Sequence, residues 1–168
     1  MKITIGPYKD DDTPRREEIR IHDYDTWDMD HTLALIILPM LKQLKATKHG
    51  APNVDSEDVP YELRMPHGWY EEKYSVNGET DPHFFDRWDY VMDEMIWSFE
   101  QILDDDNDEQ FYSGKSDVYW EKLENGYSEM KRGPQDTFQI DREGMEKHHR
   151  RIGNGLTLFG KYYRSLWD

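Results

Sequence analysis

The feature that most constrains the fold is an amphipathic stretch in the middle of the chain, residues 81–103. Asp81 is placed as an N-cap, and Pro82 takes the first helical position, where its missing N–H costs nothing. The pattern predicts a helix over about 82–103 whose single apolar face must be covered by the rest of the chain. The apolar residues recur at steps of three and four, the spacing of one helix face, and are Phe84, Trp88, Val91, Met92, Met95, Phe99 and Ile102.

A second helix is predicted over about 26–48, with Asp25 as its N-cap and Gly50 as its stop. The stretch 33–41 is apolar nearly all round, and a helix of that kind is usually buried. We therefore predict that this helix is the central element of the core. Four of its residues should contact the other helices: Leu33, Ile36, Ile37 and Met40.

A third helix is predicted over about 142–166, capped by Asp141. The three glycines at 153, 155 and 160 either weaken this helix or let another backbone approach it closely. Its apolar stripe is predicted to comprise Met145, His149, Ile152, Leu156, Phe159, Tyr163 and Leu166.

Two further regions alternate apolar and polar residues, which is the period of a β-strand. Residues 2–6 and 17–22 predict an antiparallel strand pair joined by a polar loop. Residues 117–140 predict a three-stranded antiparallel meander, with turns at Asn125-Gly126 and at Gly133-Pro134. The fold class is thus α+β, in one domain over residues 1–168. Residues 51–80 hold three of the eight prolines and are predicted to form an extended excursion with little regular structure.

The charge of the chain restricts its partners. The net charge is −15, and residues 79–129 carry 16 acids and 3 bases, a net of −13. This balance argues against direct binding to nucleic acid or to an anionic membrane and favours a protein partner with a basic surface. The start of the chain does not resemble a signal peptide, and the longest apolar run is too short to span a bilayer. The sequence indicates no cofactor and no particular oligomeric state.

Two carboxylate–imidazole pairs could ligate a metal. Asp28 precedes His31 by one helical turn, and Glu146 precedes His149 in the same way. Bundles that use such motifs hold di-iron or di-manganese centres, so a carboxylate/His metal-dependent enzyme is one alternative. However, acids make up 36 of 168 residues, so seven His predict about one and a half such pairs by chance, and two are present.

The back of the middle helix fits a binding role better. Tyr90 and Trp97 lie opposite the apolar stripe, and Asp93 and Glu94 lie beside them. Exposed aromatics with an acidic rim are typical of a surface that binds a basic partner. We predict these four residues as an interface; the alternative is that this face packs under residues 51–80. The acidic middle of the chain also allows a second alternative, a nucleic-acid mimic that blocks a host DNA-binding protein.

Four blocks of the sequence resemble a family of small acidic proteins from tailed bacteriophages. They are "KITIGPY", "YDTWDMDHTLALIILPMLKQLKATKHGAPNVDSEDVP", "RWDYVMDEMIWSFE" and "NGLTLFGKYYRSLWD", together about half of the chain. The resemblance implies a phage origin and carries over no functional residue. We therefore predict a non-enzymatic phage accessory protein that acts by protein–protein contact, on a host factor or in the virion. It would reside in the host cytoplasm or the virion.

Overall fold

The computed structural model describes residues 1–8 and 13–167, and within these ranges four α-helices and six short strands are present. The helices are α1 (Met29–Thr47), α2 (Ser75–Asn77), α3 (Phe84–Ile102) and α4 (Arg142–Tyr162). The strands are β1 (Lys2–Ile5), β2 (Glu17–Arg20), β3 (Tyr112–Ser113), β4 (Val118–Lys122), β5 (Ser128–Arg132) and β6 (Gln139–Ile140). The α+β class and the three long helices predicted from the sequence are confirmed.

The middle helix α3, rather than α1, is the central element. It contacts both α1 and α4, and its predicted stripe is confirmed: Trp88, Val91, Met92, Met95 and Phe99 are all buried. The prediction that α1 is central is wrong. Only Ala34 and Leu41 of α1 are buried, and of the four predicted contact residues Leu33 and Met40 are exposed while Ile36 and Ile37 are half-buried. One side of α1 packs on α3, and the described chain leaves its opposite side open.

The helix α4 is rotated relative to its predicted stripe. Leu156 and Tyr163 are exposed, whereas Gly155, Leu158 and Tyr162 are buried. A Cβ atom at Gly155 would lie 2.0 Å from Ser98 Oγ and 2.5 Å from the Glu94 carbonyl oxygen. The backbone of α4 therefore approaches α3 closely at Gly155, and this contact decides which face of α4 is buried. The predicted close approach is confirmed at this glycine.

The predicted strand pair β1–β2 is confirmed as antiparallel, with Ile3 opposite Ile19. Residues 9–12 of the predicted loop between these strands lie outside the described residues.

The predicted three-stranded meander is wrong in its third strand. The β4–β5 hairpin forms with its turn at Asn125-Gly126, where Gly126 has φ +85°. The strand β6, however, pairs with β3 and not with β5. After β5 the chain runs back beside the residues that precede β4, and the Gly133 N–H donates to the Asp117 carbonyl at 2.7 Å. Residues 112–140 thus form one two-stranded arm between α3 and α4, hereafter the arm.

A buried ion pair holds the start of α3 to the excursion over residues 51–80. The Arg87 guanidinium donates to both carboxylate oxygens of Asp81, at 2.8 and 2.6 Å, and to the Leu63 carbonyl at 3.0 Å. Both side chains of the pair are 1% exposed. Asp81 also accepts from the His83 N–H, so α3 begins at Phe84 rather than at the predicted Pro82.

The charge state of Asp81 follows from these contacts. Burial opposes its ionisation, but the hydrogen bonds from Arg87 and from the His83 N–H outweigh burial, so the pKa of Asp81 lies below its ordinary value. The pair therefore contributes its stability in full above the unfolded pKa of about 3.9, and the contribution is lost as the pH falls through the lowered folded pKa.

We expect Gly155→Ala to destabilise the protein by about 1–3 kcal/mol, because the new methyl group would overlap the Glu94 carbonyl. The matched control is Gly153→Ala in the same helix, where a Cβ meets nothing within 4 Å. That change should stabilise by about 0.5–1 kcal/mol through helix propensity. Urea unfolding measures both. Equal effects at the two positions would contradict the close contact at Gly155.

We expect Arg87→Met to lower the free energy of unfolding by about 3–5 kcal/mol, because it leaves the Asp81 carboxylate buried without its partner. The double variant Asp81→Asn/Arg87→Met should lose less, since it removes the buried charge together with its partner and keeps an acceptor for the His83 N–H. Urea unfolding at neutral pH compares them. A double variant as unstable as Arg87→Met would show that the unpaired charge is not the cause.

Candidate interaction surfaces

The four residues predicted as an interface lie mostly inside the contact between α3 and α4. Glu94 is buried and accepts two hydrogen bonds from Arg151, from Nε at 3.0 Å and from the terminal nitrogen at 2.7 Å. The Arg151 guanidinium lies 3.9 Å from the centre of the Trp97 ring, whose other neighbour is His148 at 5.3 Å. Tyr90 is half-buried against the core.

The expectation of an exposed patch is therefore wrong for Tyr90, Glu94 and Trp97, and only Asp93 is exposed. Trp97 and Glu94 are covered by Arg151 of α4, and not by residues 51–80 as the alternative expected. The sequence could not show this, because Arg151 is more than fifty residues away along the chain. The contact of these four residues with a partner stays a prediction.

The Glu94–Arg151 pair also shifts proton affinities in its surroundings. The hydrogen bonds that Arg151 donates to Glu94 raise the pKa of Arg151, and burial, followed by the nearby Glu94 charge, raises the pKa of Tyr90. Arg151 thus stays charged across the physiological range, and Tyr90 stays neutral.

We expect Arg151→Ala to destabilise by about 1.5–3 kcal/mol, because it leaves the buried Glu94 carboxylate without its donors. The neighbouring Arg150 is the matched control: it is exposed and pairs only with Glu146, at 3.8 Å. Arg150→Ala should change stability by no more than about 0.5 kcal/mol. Thermal unfolding of the two variants provides the comparison, and equal losses would refute the assigned role of the Glu94 pair.

The acids of α3 are engaged within the fold. Two lysines of α1 and Lys48, which directly follows it, contact carboxylates of α3 in antiparallel order. Lys42 contacts Glu100 at 2.6 Å, Lys45 contacts Asp93, and Lys48 contacts Asp89 at 2.9 Å. Asp86 contacts His83. With Glu94 bound to Arg151, every acid of α3 has a partner. This pairing weighs against α3 as a row of open charges that imitates nucleic-acid phosphates.

The carboxylates that lack a basic partner lie instead in the loop between α3 and the arm. In the described ranges, 1–8 and 13–167, no Lys or Arg side chain pairs with Asp104, Asp105 or Asp106. Within this loop the Asp104 carboxylate accepts from the Asp106 N–H at 3.2 Å, and Asp108 contacts His149 at 2.9 Å. The carboxylates without a basic partner therefore lie in the loop that precedes the arm.

The four candidate metal ligands are not brought together. His149 contacts Asp108, and Glu146 contacts Arg150. Asp28 is the residue directly before α1, and His31 lies in the first turn of that helix. Among the residues that the structure describes, no group of three or more His, Asp or Glu side chains is arranged to hold a metal ion.

The β4–β5 hairpin of the arm is exposed on both of its faces. None of its ten strand residues is buried, and only Lys131 is half-buried. Trp120 and Met130 lie directly opposite each other and are 67% and 56% exposed. Alternating residues predict a strand with one buried face, but here no element covers either face. Sequence reasoning therefore missed this surface.

An apolar groove of about 780 Å³ separates α1 from the C-terminal end of α4. Its only polar lining residues are Gln43 and Thr47, and none is charged. The other lining residues are Ile37, Pro39, Met40, Leu41, Leu44, Phe159, Tyr163 and Leu166. The apolar run of α1 was the sequence signal for this surface, although it was interpreted as core.

A smaller cleft of about 260 Å³ lies over the Asp81–Arg87 pair, with Trp69, Tyr70 and Tyr74 among its walls. Because Asp81 neutralises Arg87, the cleft presents aromatic walls and no net charge from this pair.

The chain exposes more surface than its mass predicts. Its accessible surface is 12941 Å². A folded monomer of 20.3 kDa is expected to expose about 8,800 Å². The surplus is about 4,000 Å², and large apolar side chains of α1, β1, β2 and the arm contribute to it.

No helix among the described residues has the length and apolar character needed to cross a bilayer. Comparisons of the chain with protein-family models, with curated proteins and with solved structures gave no significant match.

Proposed function

We propose that this chain is a non-enzymatic bacteriophage accessory protein that acts by protein–protein contact, and that the arm makes the contact. The phage origin rests on the sequence resemblance. The role of the arm rests on one observation: its hairpin exposes Trp120 and Met130 side by side, together with Tyr119 and Tyr127.

The exposure of the hairpin has an energetic consequence. An isolated two-stranded hairpin is marginally stable in water, because neither face buries apolar surface. Trp, Tyr and Met are also the residues most enriched where one protein contacts another. Covering Trp120 and Met130 with a partner would stabilise the hairpin and the complex at once. This is the physical argument for an interaction role.

The partner is proposed to have a basic surface. The strands and turn of the hairpin, residues 118–132, carry three acids and three bases and are close to neutral. The open carboxylates of Asp104, Asp105 and Asp106 precede the arm directly along the chain, and the whole molecule carries −15. These charges would speed the approach of a basic partner, while the aromatic side chains would hold it. Such a partner could be a host factor or a virion protein.

The test is affinity purification of the tagged chain from infected cells, combined with mass spectrometry of purified virions. We expect proteins enriched with the wild-type chain, or its incorporation into virions, to fall at least about tenfold with Trp120→Ser/Met130→Ser. Tyr61→Ser is the matched control, since Tyr61 is 80% exposed but lies outside the arm.

Both variants should unfold at the wild-type temperature, because exposed side chains contribute little to stability. Recovery of the same proteins with the arm variant, or of nothing above a tag-only background together with absence from virions, would contradict the proposal.

A further inference from the structure

The helix α1 has two apolar faces, and the described chain covers one of them. Met29, Leu33, Ile36 and Met40 are spaced by three, four and seven residues, so they share one side of the helix. Three of them are exposed, and Met40 is 67% exposed. A helix that is apolar all round is normally buried. The open stripe of α1 thus indicates that another surface covers it in the assembled protein.

The stripe and the groove form one continuous surface. Met40 belongs to both, and the far wall of the groove consists of Phe159 in α4 and of Tyr163 and Leu166 just after that helix. A ridge formed by α1 therefore lies beside a groove. A two-fold symmetric contact requires this combination, because the same patch must supply both the projecting and the receiving part.

The distribution of charge favours a second copy over a different protein at this site. No acid lies among the groove residues or in the α1 stripe, although the chain carries −15. Two copies can therefore meet here without opposing their acidic surfaces. A partner selected for its basic surface would find no carboxylate in the groove to pair with.

The exposed area of the whole chain is also large. A standard interface buries about 800 Å² on each partner, and obligate dimers bury more. The surplus of about 4,000 Å² over a monomer of this mass is distributed over α1, β1, β2 and the arm, so the open side of α1 is one of several surfaces that contribute to it.

We propose that this chain forms a two-fold symmetric dimer in which α1 of each copy packs into the α1/α4 groove of the other. This contact lies outside the arm, so the dimer can be tested independently of the function proposed for the arm.

The experiment is sedimentation velocity of the full chain over roughly 1–100 µM, a range that brackets a micromolar Kd. The wild-type chain should sediment with about twice the monomer mass of 20.3 kDa. Met40→Glu places like charges in both copies of the interface and should weaken dimerisation about 100-fold or more. Tyr163→Glu, on the other wall of the groove, should have the same effect.

Met130→Glu is the matched control, because it is the same change at a comparably exposed Met of the arm. It should leave the dimer intact. Circular dichroism and the unfolding temperature of each variant, measured at a concentration where all are monomeric, establish that the fold is retained. A wild-type chain that is monomeric throughout the range would overturn the proposal. So would dimers of Met40→Glu and Tyr163→Glu as tight as wild type, or a dimer lost only in Met130→Glu.

Discussion

The close contact between α3 and α4 at Gly155 is the constraint on which the rest of the structure depends. Because Gly155 has no side chain, the α4 backbone reaches Ser98 and the Glu94 carbonyl. This approach sets the rotation of α4, and the rotation brings Arg151 over Glu94 and Trp97. It also places Tyr162 where its hydroxyl accepts from the Asp55 N–H at 2.9 Å and contacts Asp58, so the excursion over residues 51–80 is held to the same helix.

Ion pairing explains why the most acidic part of the chain does not present a uniformly negative surface. Carboxylates of α3 contact two lysines of α1, Lys48 directly after it, and an arginine of α4. Exposed pairs of this kind contribute little stability each, but they neutralise charge that the composition alone would assign to a binding surface. The open charge is left to the loop after α3, next to the arm. The position of the unpaired carboxylates is therefore decided by ion pairing and not by local acid content.

The exposed apolar residues separate into surfaces of different chemistry. The arm exposes aromatic residues and Met on a ribbon that no other element supports, close to an acidic loop. The α1/α4 groove is apolar and uncharged, and both of its helices contact α3. A neutral groove suits an identical copy, whereas a projecting ribbon beside open carboxylates suits a partner of opposite charge. The two proposals can be tested with separate variants for this reason.

The sequence by itself determined the local elements, because helix periodicity, the Asp141 cap and the Asn125-Gly126 turn act over a few residues. It also determined the buried face of α3, whose stripe is unbroken. Tertiary structure decided what depends on distant partners: that α3 and not α1 is central, that β6 pairs with β3, and that Arg151 covers Trp97. An apolar residue such as Met40 occurs at the same sequence spacing whether the surface that buries it belongs to its own chain or to another. Periodicity shows that a face must be buried, and only the packing of whole elements shows whether the chain buries it alone.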